Sequence, residues 1–337
     1  MISNRAVAVF GAYGHTGRFV VAELARRGWT PIVAGRDAAK LEAVAGSYPG
    51  SEPRVASVED CESLDRAISG AAAVINCAGP FLDSAAAVLS AALRARIHYL
   101  DVAAEQAAVL ATFREFADPA REAGVAAVPA LGFYGGLGDL LATTAMGEWA
   151  EADEILILAA LDSWKPTRGT RLTGQRNPGQ RLVFRNNRLE RGDPPAPCRW
   201  NFPSPFAEEM IEALALSETI IIPQHLKTPE VRAYLNQAAL RDVRDPATPT
   251  PTATDASGRS SQIFVLEAVV RAGGAERRAM ARGRDIYAVA APIVVEAAER
   301  LVNGRAKGTG VLAAGEAFAA RDFLTTLSPG HLSFEIQ

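Results

Sequence analysis
The stretch Ala6-Val7-Ala8-Val9-Phe10-Gly11-Ala12-Tyr13-Gly14-His15-Thr16-Gly17-Arg18 decides the fold class. Five apolar residues in a row read as a strand covered on both faces, the pattern of a parallel sheet. Three glycines follow at Gly-x-x-Gly-x-x-Gly spacing, and then Gly17, Val21, Leu24, Ala25 and Gly28 fall on one face of a helix. In such a strand–turn–helix each glycine has a task. Gly11 permits the tight turn off the strand, Gly14 lets the backbone approach a pyrophosphate, and Gly17 lets the helix pack closely. The N–H groups and positive end of the helix then hold phosphates. Tyr13, His15 and Thr16 line the same turn and are expected to touch the dinucleotide.

Outward from this unit the rhythm repeats. Short apolar runs at 32–34, 55–58, 73–76, 99–102 and 125–128 alternate with helical stretches at 38–45, 62–68, 85–94 and 107–122, the last with a break expected near Pro119. Strand–helix–strand order means right-handed crossovers, so residues 1–131 are expected to be a Rossmann domain with a doubly wound parallel sheet. After Gly132 the pattern changes to a helix at 139–149, a strand at 154–161, and hairpins at 180–190 and 263–282, the latter turning at Gly273-Gly274. Residues 132–284 read as an α+β domain with a mainly antiparallel sheet, so the whole is an α/β protein with two parts. Residues 285–337 read as helices, at 286–302 and 315–327, that return to the Rossmann domain.

The bulk numbers exclude several classes. A net charge of −3 over 337 residues gives no basic footprint for nucleic acid. Cys61, Cys77 and Cys198 have no ligand spacing, so neither disulfides nor a metal site is expected, and a reducing compartment fits. No apolar run approaches the ~20 residues of a membrane helix, and the start lacks a secretory signal's pattern. A cytoplasmic protein acting on a small-molecule substrate is expected.

The end of the second strand bears on the cofactor. NAD-binding domains place an acid there for the ribose hydroxyls, whereas NADP binders drop it and supply an Arg. Here the residues are Val33-Ala34-Gly35-Arg36-Asp37. Gly35 stands where the acid would be and Arg36 suits a 2′-phosphate. Asp37 has two readings, a ribose acid or the N-cap of the helix from Ala38, and the second places it better. NADP, as NADPH, is the expected cofactor.

Taken together, Gly11 to Arg18, Ala34-Gly35-Arg36, Asn76-Cys77-Ala78-Gly79-Pro80-Phe81 and His98-Tyr99-Leu100-Asp101 resemble the saccharopine reductase-like NADP-binding family, which includes saccharopine dehydrogenases and trans-acting enoyl reductases. Gly132-Phe133 with Asp139, and Gly315-Glu316-Ala317-Phe318, extend the likeness more weakly. The resemblance implies a Rossmann domain followed by a sheet domain that covers the nicotinamide and often forms a homodimer. The chain departs from the family's Asp-x-x-Gly-Glu, reading Asp101-Val102-Ala103-Ala104-Glu105, and its middle carries no matching substrate motif.

Candidate chemistry follows from position. No tyrosine has a lysine four residues on, which removes the short-chain dehydrogenase base, and no serine elbow or His-Glu zinc motif is present. Asn76, Ala78, Gly79 and Pro80 close the fourth strand at the carboxyl edge of the sheet, where ligands bind, and should border the nicotinamide ribose. Asp101 and Glu105 follow the fifth strand at the same edge; facing a substrate and capping a helix are equally open to Asp101. Tyr134 offers a phenol for protonation, against a plain hinge reading of the glycine-dense stretch 132–139, with Asp139 starting the next helix. Lys165, Arg168 and Arg171 form a cationic loop that suits an acidic substrate, although solvated surface charge is the commoner explanation. His98 and His225 read as structural. The expected activity is an NADPH-dependent reduction of a C=N, C=O or activated C=C bond, with a non-catalytic NADP-binding redox sensor as the alternative.

Overall fold
A computed structural model describes residues 5–176 and 181–337. The chain divides into two compact units. One comprises residues 1–132, 290–312 and 316–318, and the other residues 133–289, 313–315 and 319–337.

The first unit alternates strands and helices: β1 Ala6–Phe10, α1 His15–Arg26, β2 Thr30–Gly35, α2 Ala38–Ala45, β3 Glu52–Val55, α3 Cys61–Ile68, β4 Ala73–Asn76, α4 Phe81–Ala95, β5 His98–Asp101, α5 Gln106–Ala123 and β6 Ala126–Val128. Its sheet has the order β15-β6-β5-β4-β1-β2-β3, the short β15 being Gly310–Val311 at one edge. Every pairing is parallel. The order reverses between β1 and β4, the crevice where doubly wound sheets bind ligands. Val7, Ala8 and Val9 are fully buried, as a strand with helices on both faces must be. Helix α10 (Ala290–Val302) lies beside α1 and faces β4 and β5. Arg27 clamps it, donating to Glu296 and Glu299, while Glu296 also accepts from Arg300.

In the second unit a π-helical turn, Phe133–Leu137, runs into α6 (Gly138–Met146). Around it stand β7 Glu154–Leu161, α7 Arg168–Arg176, β8 Leu182–Arg185, β9 Arg188–Arg191, β10 Cys198–Asn201, β11 Glu208–Ala213, α8 Glu218–Ile221, β12 Val231–Asn236, α9 Gln237–Arg244, β13 Ile263–Ala272 and β14 Ala275–Arg284. After α11 (Ala314–Ala317) and α12 (Ala320–Leu327), β16 (Leu332–Ile336) ends the chain. The sheet order is β10-β11-β12-β7-β13-β14-β16, with the β8–β9 hairpin attached through β12. Only β12 and β7 pair in parallel among the described residues. Both hairpins turn on residues at positive φ, Asn186-Asn187 and Gly273-Gly274, which match the twist of the flanking strands.

Several boundaries differ from expectation, each for a physical reason. β3 lies three residues earlier than its apolar pattern suggested, because an edge strand tolerates Glu52 and Pro53. α5 passes through Pro119 without a break, with Ala120 buried beyond it. α4 begins at Phe81 rather than at 85, since a distant carboxylate caps it. The helix expected from 286 starts at Ala290, because Asp285, at φ 62°, ties back the N–H groups of Tyr287 and Ala288. The helix expected over 315–327 is two, α11 and α12. The 164–171 segment is loop only to Thr167, with Trp164 buried; α7 starts at Arg168, and Arg171 donates to the Asp245 and Thr248 carbonyls. β10, β11, β12 and β16 were missed. Gln180, where one hairpin was expected to begin, lies outside the described residues. No helix among the described residues is long and apolar enough to cross a membrane.

Candidate cofactor and active site
The turn after β1 is built by atoms that leave no room for side chains. Gly11 sits at φ 84°, and a Cβ there would meet the Ala78 nitrogen at 2.9 Å. A Cβ on Gly17 would lie 2.2 Å from the Gly11 carbonyl oxygen, and one on Gly14 would lie 3.1 Å from the same atom. The carbonyl of Ala34 accepts from Gly11 N–H at 2.8 Å and fixes the turn to β2. α1 has no acidic residue in its first turn, so nothing there repels an anion. A narrow cradle of backbone, closed to a Cβ at Gly11 and Gly17 and tight at Gly14, is what a pyrophosphate requires. The residues present fit a dinucleotide.

The end of β2 supplies the charge. A Cβ on Gly35 would lie 2.8 Å from Cε1 of Tyr13, so glycine there lets the Tyr13 ring lie against the end of β2. The Lys40 ammonium stands 5.6 Å from the centre of that ring and pairs with Asp37 at 2.7 Å. Asp37 accepts from the Lys40 backbone N–H and is the N-cap of α2. Arg36 is exposed and engaged in no ion pair among the described residues. His15 packs edge-on against Phe19, and Thr16 is half-buried.

At the carboxyl edge of β4 and β5 the polar groups hold one another. Asn76, fully buried, accepts from Ala78 N–H and donates to the Ser84 hydroxyl, and Ser84 donates to the Ala78 carbonyl. This closed set shapes the 78–80 loop against Gly11. Asp101 accepts from the N–H groups of Ala103 and Ala130 and from the Tyr99 hydroxyl, at 2.7–2.9 Å. Burial raises its pKa, which these bonds partly offset. Glu105 takes Phe81 N–H on one carboxylate oxygen and Leu82 N–H on the other, so it caps α4. Both carboxylates at this edge therefore accept hydrogen bonds from within the chain. Asp101 carries the turn at Ala130, and the helix capping that was one reading of Asp101 is performed by Glu105.

Tyr134 stands in the second unit. Its ring packs against Phe133 and, at 5.7 Å, Trp164, and burial pushes its phenol well above the ordinary range. The glycine-dense stretch is helix rather than hinge. Asp139 lies fully buried inside α6, accepting from Gly315 N–H and pairing with Nε2 of His225, both at 2.7 Å. His98 accepts from Ala126 N–H. Lys165 borders a small polar pocket with Ser163, Gln262 and Tyr287, and Arg168 is exposed on α7.

Comparison with known proteins bears on the first unit most directly. Residues 7–128 match the model of the saccharopine dehydrogenase NADP-binding domain. None of the curated proteins compared is similar in sequence. Among solved structures, apo saccharopine dehydrogenase (L-Glu forming) from Saccharomyces cerevisiae aligns over 98% of this chain and 99% of its own, at 16% identity and a TM-score of 0.69. That likeness extends the shared fold to the second unit. Triphenylmethane reductase from Citrobacter sp. complexed with NADP(H) aligns over 30% of this chain and 38% of its own, at 24% identity and a TM-score of 0.26. The cofactor is NADP(H). Residues 7–128 are thus an NADP-binding domain of the saccharopine dehydrogenase type, in a chain whose fold is similar to that of saccharopine dehydrogenase throughout.

Proposed function
We propose that the chain is an NADPH-dependent reductase of a C=N, C=O or activated C=C bond in a small metabolite. The observation that carries the reading is the narrow cradle of Gly11, Gly14 and Gly17, with Arg36, in no ion pair among the described residues, beyond an acid-free β2 end. Arg36 would pair with the 2′-phosphate and the 11–17 backbone would hold the pyrophosphate. Asn76, Ala78, Gly79 and Pro80 would border the ribose, with Asn76 fixing the loop. When bound, NADPH supplies a hydride to the carbon of the double bond. In the second unit Tyr134, whose phenol burial holds well above the ordinary range, is the candidate proton donor. Asp101 positions the backbone at Ala103 and Ala130. Three free thiols support a reducing, cytoplasmic setting, and a homodimer is what the sequence resemblance implies.

The test has two stages. NADPH and NADH are titrated first, with NADPH expected to bind at least ten-fold more tightly, about 1.4 kcal/mol. Absorbance of NADPH is then followed with aldehydes, ketones, a 2-oxo acid with an amine, and enoyl thioesters. Tight NADPH binding without oxidation by any of them would replace the reductase with a redox sensor, and equal affinities would remove the role given to Arg36.

A further inference from the structure
In the second unit the Tyr134 hydroxyl, the Ser217 hydroxyl and Oε2 of Glu218 are buried without a hydrogen-bond partner among the described residues. Ser217 and Glu218 are 0% exposed. Interiors rarely leave such atoms unbonded, and where they do a ligand or catalytic role is one established cause.

These atoms are grouped, not scattered. Ser217 and Glu218 are neighbours at the start of α8. Cβ of Glu218 lies 3.9 Å from where a Gly138 side chain would begin. Tyr134 precedes Gly138 by four residues on the same helical rod, and so shares that face. Tyr134 also feels the charge of Glu218 directly, and Arg181 acts on both. The carboxyl of Glu218 is fixed, because Oε1 accepts from Leu216 N–H at 2.8 Å while Oε2 is left over. The Tyr134 ring is fixed too, against Trp164, whose Nε1 donates to the Tyr287 hydroxyl at 2.9 Å. The set offers one phenol donor, one carboxyl oxygen and one hydroxyl able to do either.

We infer that Tyr134, Ser217 and Glu218 form a binding site for a small polar group that accepts one hydrogen bond and donates another. On the reductase reading, on which its assignment to substrate rests, that group is a carbonyl or imine of the substrate, or the alcohol or amine of the product. Glu218 suits both ends of such a change, since burial raises its pKa to about 7 and it exists as acid and as carboxylate near neutrality. An oxygen or nitrogen that takes a proton during reduction turns from acceptor to donor. A site with one donor and one group of either kind accommodates it before and after.

Acetamide is the probe, because it carries one acceptor and two donors and is not reduced by NADPH. In thermal unfolding of the full chain, acetamide should raise the parent's Tm progressively with concentration. Tyr134→Phe and Ser217→Ala remove polar atoms that have no internal partner. Glu218→Gln keeps the Leu216 bond and turns Oε2 into a donor. All three variants should keep or exceed the parent's Tm, bind NADPH with unchanged affinity, and lose most of the acetamide shift. A parent Tm that acetamide leaves unmoved, or a shift that survives in Tyr134→Phe and Glu218→Gln, overturns the site. A Tm lowered by about 5 °C or more in both makes these groups structural and overturns it equally. Loss of the shift in the variants, with no oxidation of NADPH by any carbonyl, imine or activated alkene, keeps the site and overturns the reductase reading instead.

Discussion

Two stretches of this chain read Gly-x-Tyr-Gly-x-x-Gly: Gly11 to Gly17 and Gly132 to Gly138. The first is a phosphate-type turn and the second is helix. In the first, Gly11 follows the last residue of β1 directly and makes the turn itself, at φ 84°. In the second, Pro129, Ala130 and Leu131 separate β6 from the motif, and the turn has already been made by Ala130 at φ 60°. Asp101 holds that turn, its carboxylate on Ala130 N–H and its carbonyl on Leu131 N–H, both at 2.7 Å. With the turn complete, no residue from Gly132 to Gly138 needs positive φ, and Phe133 onward coils into the rod that ends at Met146. Glycine spacing therefore marks a phosphate cradle only where the first glycine is itself the turn off the strand.

The largest expected difference between the two stretches is at Gly17. Gly17→Ala forces a Cβ to 2.2 Å from the Gly11 carbonyl oxygen, and should cost about 4 kcal/mol or more in urea unfolding. Its counterpart, Gly138→Ala, is the smallest, treated below. If the two cost the same, the distinction between cradle and rod fails.

Next in size is a pH effect confined to the second stretch's surroundings. Burial raises Glu218 from 4.5 to about 7. Between those values the folded protein binds more protons than the unfolded chain, so stability is full below about pH 4.5 and falls until pH 7. The loss should approach about 3 kcal/mol at its upper limit. Urea midpoints of the parent and Glu218→Gln, compared from pH 4.5 to 8, isolate it; parallel curves would show that Glu218 is not held as an acid.

Gly14→Val should then separate binding from folding in the first stretch. The added side chain meets Gly11 at only 3.1 Å, a contact that small shifts relieve, yet it fills the cradle. NADPH affinity should fall about 100-fold or more, about 2.7 kcal/mol, with the circular dichroism spectrum preserved. Normal titration by NADPH would remove the cradle from the cofactor site.

Arg36→Ala acts at the edge of the same cradle. NADPH affinity should drop about ten-fold, about 1.4 kcal/mol, with NADH affinity unchanged. Equal loss for both dinucleotides would place Arg36 away from the 2′-phosphate. Last comes Gly138→Ala. Its Cβ would touch Ile157 at 3.5 Å, an ordinary contact, and alanine gains up to about 1 kcal/mol of helix propensity. Stability should stay within about 1 kcal/mol of the parent by the same urea assay.

The sequence by itself determined the first unit and the chemistry of its cofactor. Local periodicity suffices for the central strands, which are buried on both faces, so Val7 to Phe10 or Ala73 to Asn76 announce themselves as unbroken apolar runs, whereas the exposed edge strand β3 does not. Gly35-Arg36-Asp37 was equally readable, since the N-cap bond of Asp37 reaches only to Lys40. What the tertiary structure decided were relations between residues far apart in the chain. Glu105 caps a helix that begins 24 positions earlier, and Asp139 is satisfied by His225 and Gly315. No local pattern marks a carboxylate for such work. The second sheet was half hidden for the same reason, as β10 and β11 are mostly exposed or half-buried, β11 has no regular alternation of polar and apolar residues, and both take strand form only through each other and β12. Glu218 is the extreme case. Nothing around it in sequence says that it is buried, because burial there is imposed by α6 and the π-helical turn, more than seventy positions away, closing over a carboxyl that local rules would have left in water.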